Sequence, residues 1–574
     1  MSDDARIEAD RQLLVDAEAT GGLAKYAAYV KLSGPGWLQS ALTLGGGSLG
    51  GSLYLGILAG VSMIWLQPFA MILGVIMLSA ISYVTLSTGE RPFRAINEHI
   101  NPVLGWSWLA ASLMANMVWS MPQYSLCFAV MEQNFFPSWF AEGGMFAGEA
   151  AAQGKWVVSI SILVFCTLIT WSYGSGSVGV KIYEGVLKVV VAVIVLCFFG
   201  VVIRMSMVGD GVDWAGVLSG LIPKWRHLFQ PSDDLKPLLD VIADPAARQY
   251  WSDKVVSQQR DVMLAAGAAA VGINMTFLLP YNLLSSGWTK EFRGLSIFDM
   301  CTGMFVPFVV ATGCIVIASA TQFHAQFPEG IEVNGSELVM PTGGMQDQYD
   351  KLMTARTSDD AVAKYQFAGE PSVEEAKLAA TALVKRDTGA LADSLKQLFA
   401  NENGEGGGFF SNIVFGVGVV GMTLSSISLM MVISGFVVCE VCNVPPKGWT
   451  FRLGCMISAV GVLWPLFWAG GAKAWMTVVA GVFGSMLIPI AYVTFYFLMN
   501  QETLMGDERP KGAKRLFWNI CMAFAALAAT GAGVSAVYKR GGTMGLVFVV
   551  AYIALVLFVQ MSRRPNTADH SAAV

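Results

Sequence analysis

The chain has 574 residues, of which 13% are charged and 55% hydrophobic, and 36 Lys and Arg against 41 Asp and Glu leave a formal net charge of −5. Soluble globular chains carry about 25% charged residues, whereas the mean hydropathy here is +0.56. That composition excludes a nucleic-acid binder, which needs a basic surface for phosphates, excludes a disordered scaffold and argues against a soluble enzyme; the expected partner is a lipid bilayer.

The mostly polar start, 1–33, has no apolar core near its end, so no cleaved secretion signal is expected. A membrane-crossing helix needs roughly 20 apolar residues. Stretches free of Asp, Glu, Lys and Arg follow at Trp37–Gly89, Gly105–Met131, Trp156–Val180, Val189–Ile203, Val262–Thr289, Met300–Gln322, Phe409–Cys439, Leu453–Ala472, Ala474–Gln501, Leu516–Tyr538 and Gly541–Ser562. The first holds two helices, split near Gly60–Ser62, and the fifth helix takes in the charged start Lys181–Lys188, which makes about twelve spans of an all-α integral membrane protein. The layout is spans one to five over 34–208, a loop over 209–260, spans six and seven over 261–320, an insertion over 321–408, spans eight to ten over 409–500, spans eleven and twelve over 501–562, and a tail over 563–574. Val373–Val384 and Ala390–Phe399 read as helical within the insertion, which forms a small cap.

Alternate short loops hold Arg91, Arg94, Lys290, Arg293, Lys447, Arg509, Lys511, Lys514 and Arg515, while those on the other side hold chiefly Lys155, Lys473, Lys539 and Arg540. The positive-inside rule then places both termini in the cytoplasm of a cell, with the loop and the insertion outside. The nine cysteines avoid both long loops, so no disulfide framework is expected. His99, His227, His324 and His570 lie outside the apolar spans, which removes a buried histidine relay or zinc site. No cofactor is expected.

Irregular backbone survives in hydrocarbon only against protein or a water-filled cavity. Span one carries five glycines within Gly45–Gly51, each costing about 1 kcal/mol in a helix relative to Ala. An unwound segment is expected there, with close helix packing as the alternative. Span six has Thr276-Phe277-Leu278-Leu279-Pro280-Tyr281-Asn282, where Pro280 removes a backbone donor. Paired interruptions in the first helices of two halves point to an inverted-repeat transporter with its site at the breaks. The expected substrate-binding set is Gly45, Gly46, Gly47, Ser48, Thr276, Leu279, Tyr281 and Asn282.

At these segments the chain resembles the Nramp family of divalent-metal transporters. Ser33-Gly34-Pro35-Gly36 matches that family's opening S/T-G-P-G, and running on without a gap sets its D-P-G-N on Gly45-Gly46-Gly47-Ser48. The M-P-H-N-L motif falls on Leu279-Pro280-Tyr281-Asn282-Leu283, and Lys181-Ile182-Tyr183-Glu184 resembles the Y-x-x-L-E helix. The resemblance implies a LeuT-type fold, two inverted five-helix repeats plus two further helices, and alternating access. It also implies metal ligands at the first-span Asp and Asn and the sixth-span Met, where this sequence has Gly45, Ser48 and Leu279.

Around both breaks no side chain ionises at neutral pH, so the expected site is built of carbonyls, N–H groups, hydroxyls and an amide. Divalent ions stripped of water are normally held by carboxylates, imidazoles or thiolates. Such a neutral site suits an inorganic cation that keeps much of its water, magnesium among them, or a monovalent one; a neutral or zwitterionic organic solute, carried with or without sodium, is the alternative. A receptor-like homologue that binds without transport is a third. Gln39, Asn116, Trp119 and Gln123 are expected along the permeation path. Thr423, Ser425 and Ser426 read either as a sodium site against the first-span break or as hydroxyls bonded back to their own helix. Lys181, Glu184 and Lys188 share one helical face, as an ion-pair cluster or a gate.

Overall fold

The computed structural model describes residues 3–141, 143–173, 177–207, 211–328, 330–334, 337–340, 343–386, 407–468 and 472–563. It is a bundle of long helices. Span 1 is broken into 1a (Pro35–Thr43) and 1b (Gly46–Ala59), bent by 54°. Leu66–Thr88 forms span 2, Pro102–Val130 span 3, Ala151–Tyr173 span 4 and Ser177–Met207 span 5. Span 6 is again broken, into 6a (Pro245–Ala270) and 6b (Ile273–Ser285). Span 7 runs from Arg293 through a π-helical stretch at Met300–Phe305 to Phe323. Gly407–Val441 is span 8, Gly448–Phe467 span 9 and Trp475–Asn500 span 10.

Among the described residues nine helices are long and apolar enough to cross a membrane, and the bent pair of span 1 adds a tenth. The last of the nine, Gly512–Ser562, has 51 residues and turns at Gly542, whose φ of 56° is open to glycine. At 1.5 Å per residue that helix is more than twice the ~30 Å hydrocarbon thickness, so it supplies spans 11 and 12. Span 3 is less apolar because its middle carries Asn116, Ser120 and Gln123, all buried.

The first helices of the two halves pack at the centre: 1b lies against spans 7 and 6a, and 6b against spans 2 and 3. The first and last described helices reach the same end of the bundle, where Arg11 pairs with Glu291 at 3.3 Å, Arg563 donates to the carbonyls of Asn97 and Ile100 and Arg91 pairs with Glu440 at 3.0 Å. At the opposite end the two long interruptions form one cap. Its core joins Leu239, Tyr250 and Trp251 to Leu338, Tyr349 and Leu378. Arg356 and Trp251 both donate to the buried Glu375 at 2.7 Å. The helix beginning at Val373 is capped by Ser372, and the predicted Ala390–Phe399 helix lies outside the described residues. Span 6a starts inside the cap, at Pro245, with Asp244 accepting from the Ala246 N–H at 2.9 Å.

Candidate functional site

The two breaks meet. Leu44 and Gly45 leave the helical path after 1a, and Val271 and Gly272 do so after 6a, both in extended backbone at Gly45, Val271 and Gly272. Between them lies a cavity of about 40 Å³, lined by Thr43, Gly45, Gly47, Ser48, Trp119, Gln123, Ala268, Asn274, Met275 and Ser426 among others. None of its lining residues carries a charge, and its polar groups are two hydroxyls on span 1, one on span 8, two amides, the indole of Trp119 and the thioethers of Met275 and Met430.

The glycines of span 1 are there because their neighbours fill the space a side chain would take. A Cβ at Gly45 would overlap the Ser426 hydroxyl, one at Gly46 would stand 2.7 Å from the Gln123 amide oxygen, and one at Gly47 would overlap the Trp119 ring. That amide oxygen accepts the Gly46 N–H at 2.8 Å and so satisfies one of the orphan donors at the start of 1b. Ser48 returns its hydroxyl to the Thr43 carbonyl. Thr43 donates weakly to the Ala270 carbonyl at 3.5 Å and to the Met275 sulfur at 3.4 Å, which ties the two breaks together. Ser425 and Ser426 donate to the carbonyls of Ala41 and Leu42 at 3.1 and 3.4 Å, whereas Thr423 bonds back to Val420 in its own helix and does not reach span 1.

Gly45, Gly47, Ser48, Trp119, Gln123 and Ser426 thus share one chamber, with Gly46 in its wall. Four of the expected residues stand apart, because span 6 opens at Val271–Gly272 and not at Pro280, which lies inside the 6b helix. Thr276 accepts from Trp108 at 2.9 Å, Leu279 is fully buried, and Tyr281 stacks on Phe277 at 4.4 Å and on Phe436 at 6.2 Å. Two thioethers line the chamber, that of Met275, one helical turn before Leu279, and that of Met430 on span 8. A glycine directly before Ile273-Asn274-Met275 was the available sequence signal for this break. Asn116 lies behind the wall, accepting from Asn274 at 2.9 Å and donating to Ser434 at 3.2 Å. Gln39 on 1a and Asn282 on 6b are buried, and neither side-chain amide has a partner among the described residues.

A carboxylate missed by the sequence reading closes the terminal end. Asp299 sits one residue before the charge-free stretch of span 7 and is fully buried. It accepts from the Ser33 hydroxyl, from the Gly34 N–H at 3.1 Å and from the Gly36 N–H at 2.5 Å, so the S-G-P-G segment wraps around it. Lys188 donates to the Ser33 carbonyl at 3.0 Å, which brings one member of the predicted span 5 cluster to this latch; the Lys181 side chain lies outside the described residues. The cap-side end is closed by the insertion: Tyr54 donates to the Arg386 carbonyl at 2.9 Å, and the Lys385 ammonium lies 4.1 Å from the centre of the Trp475 ring. Burial pushes that ammonium down to about 8.

Comparison with curated protein sequences finds no match. Solved structures do match. A manganese transporter of Eremococcus coleocola with a histidine-to-alanine substitution superposes with a TM-score of 0.56 at 13% identity, covering 93% of this chain and 95% of the other. The same transporter bound to an aromatic bis-isothiourea substituted compound gives 0.56 at 14%, covering 94% and 96%, and a glutamate-to-alanine mutant gives 0.54 at 12%, covering 93% and 95%. The shared fold is the LeuT type, with its inverted repeats broken at spans 1 and 6. The profile of the natural resistance-associated macrophage protein-like family matches residues 36–340 and 379–539. With most of its length so matched, the chain belongs to the Nramp family.

Proposed function

We propose that this protein is a secondary-active transporter carrying a divalent metal cation by alternating access, and that the ion enters the central chamber with part of its water. The size and neutrality of that chamber carry the reading. About 40 Å³ holds roughly three waters at ~10–15 Å³ each, far below the ~300 Å³ where sites for drug-sized organic ligands begin. With hydroxyl, amide and carbonyl dipoles but no carboxylate, the wall offsets only part of an ion's hydration energy, so retained water supplies the rest. Magnesium, which gives up water reluctantly, fits this chemistry. No proton-carrying side chain lines the chamber, so proton coupling is not part of the reading. The unpaired amides of Gln39 and Asn282 mark the route from the chamber to the cytoplasm, because a buried amide left without a partner costs about 1–3 kcal/mol unless water or an ion visits it.

The thioethers of Met275 and Met430 favour a second reading, since a sulfur ligand suits a transition metal better than it suits magnesium. Uptake of Mg²⁺ and Mn²⁺ into proteoliposomes, for wild type and Met275→Leu, separates the two. Saturable Mg²⁺ influx insensitive to a pH gradient and unchanged by Met275→Leu is the expected result. Mn²⁺ uptake abolished by that substitution, with no Mg²⁺ flux, would replace the first reading by the second. Flux of neither ion despite measurable binding would favour a receptor.

A further inference from the structure

A second cavity, of about 590 Å³, opens on the side of the bundle between spans 2, 6a, 10 and 11. Its lining is apolar along most of its length, and span 11 contributes Phe524 and Leu527, which are 52% and 72% exposed, so its mouth faces the bilayer. The floor is Ala268 and Val271, and Ala268 also lines the central chamber; one alanine of span 6a separates the two spaces. The cap-side end is polar. Arg260 precedes Ala270 by ten residues on 6a, about 15 Å at 1.5 Å per residue, which is half of the ~30 Å hydrocarbon core and therefore at headgroup level. Trp65 and Trp225, with ring centres 4.7 Å apart, line the same wall. The Arg260 guanidinium donates to the Leu228 carbonyl at 2.5 Å and lies over the Phe229 ring, and no carboxylate among the described residues pairs with it. Lys539 and Arg540 stand nearby and share a single carboxylate, Asp261, at 2.8 and 3.4 Å, so the rim is net positive.

We propose that this trough is a binding site for one anionic phospholipid, with an acyl chain along spans 2, 10 and 11 and its phosphate on Arg260. The reservoir is the bilayer against which the mouth opens, and the charge of the rim selects the anionic headgroup. An acyl chain lying on Ala268 and Val271 props the hinge of span 6 from behind, where Val271 already packs against Gly74. Lipid occupancy is thereby coupled to the shape of the chamber.

The test uses the full-length purified protein, reading bound lipid by native mass spectrometry and thermal stability with added phosphatidylglycerol, phosphatidylcholine or inorganic phosphate. Wild type is expected to retain phosphatidylglycerol about ten-fold over phosphatidylcholine, and to melt higher with phosphatidylglycerol but not with inorganic phosphate. Arg260→Gln should erase the preference while leaving lipid bound, and Ala528→Trp, which fills the trough, should remove the bound lipid itself. Equal retention of the two lipids by wild type would overturn the proposal, as would a preference that survives Arg260→Gln. A shift with inorganic phosphate alone would reassign the rim to a free anion. These readouts record lipid and not flux, so they stand or fall separately from the identity of the transported ion.

Discussion

Replacing Asp299 by alanine should release the first half of span 1. The carboxylate accepts three hydrogen bonds, from the Ser33 hydroxyl and the N–H groups of Gly34 and Gly36. Removing it leaves those buried donors without an acceptor, at about 1–3 kcal/mol each. Part of that total is recovered because an expensive buried anion disappears. A net shift of about 3 kcal/mol is therefore expected, roughly a hundred-fold in the equilibrium between held and released 1a. The free end lies beyond a ready hinge at Leu44–Gly45, so release swings 1a and exposes the buried Gln39. A cysteine placed at position 39 reports this directly: its labelling by a polar thiol reagent on the purified protein, followed by mass spectrometry, should quicken by about two orders of magnitude in Asp299→Ala, and by less in Asp299→Asn, which keeps one acceptor oxygen. If labelling and melting temperature match the parent carrying only the cysteine, Asp299 is not a latch and the argument is wrong.

Gly45→Asp alone should destabilise the protein because its Cβ overlaps the Ser426 hydroxyl, and adding Ser426→Gly should recover about 1–3 kcal/mol, measured as a double-mutant cycle on melting temperature. Gln123→Leu, which strips the acceptor from the Gly46 N–H, should cost about 1–3 kcal/mol and weaken ion binding measured by calorimetry. Arg356→Met leaves the buried Glu375 with the Trp251 indole but without its counter-charge, so the cap should loosen by about 3–5 kcal/mol, seen as faster hydrogen exchange there while the spans keep their protection. Lys385 is held near 8 by burial against an ordinary value of about 10.4. Between those values the unfolded chain binds the extra proton, so closure of the Lys385–Trp475 contact should strengthen as pH rises, a slope in tryptophan emission that Lys385→Met abolishes.

The spans were legible because hydrocarbon admits few alternatives: apolar length and charge-free runs map directly onto helices. The span 1 break was legible too, from the run of three glycines, although Gly46 and Gly47 also serve the close packing that was its alternative, against Gln123 and Trp119. The span 6 break was misplaced by about two helical turns because proline is a louder signal than glycine, yet Pro280 is accommodated within 6b while Val271 and Gly272 separate 6a from 6b. Asp299 escaped because it borders an apolar run, where a carboxylate reads as a loop residue; only the folded chain brings Ser33–Gly36 around it. That the two long interruptions build one cap was equally hidden, since Trp251 and Glu375 are far apart in sequence and nothing local to either names the other.

Span 6a has a further part to play as a lever arm. It is one unbroken rod from Pro245, deep in the cap, to Ala270 at the chamber, and the cap is roped to its neighbours by the Ser232 hydroxyl on the Leu58 carbonyl and by His324 reaching the Ile57 carbonyl and Asp234. Any swing of the rod at its pivot must drag the whole cap along or snap those ropes. A nanobody gripping the cap would then act as a brake on turnover without ever approaching the ion.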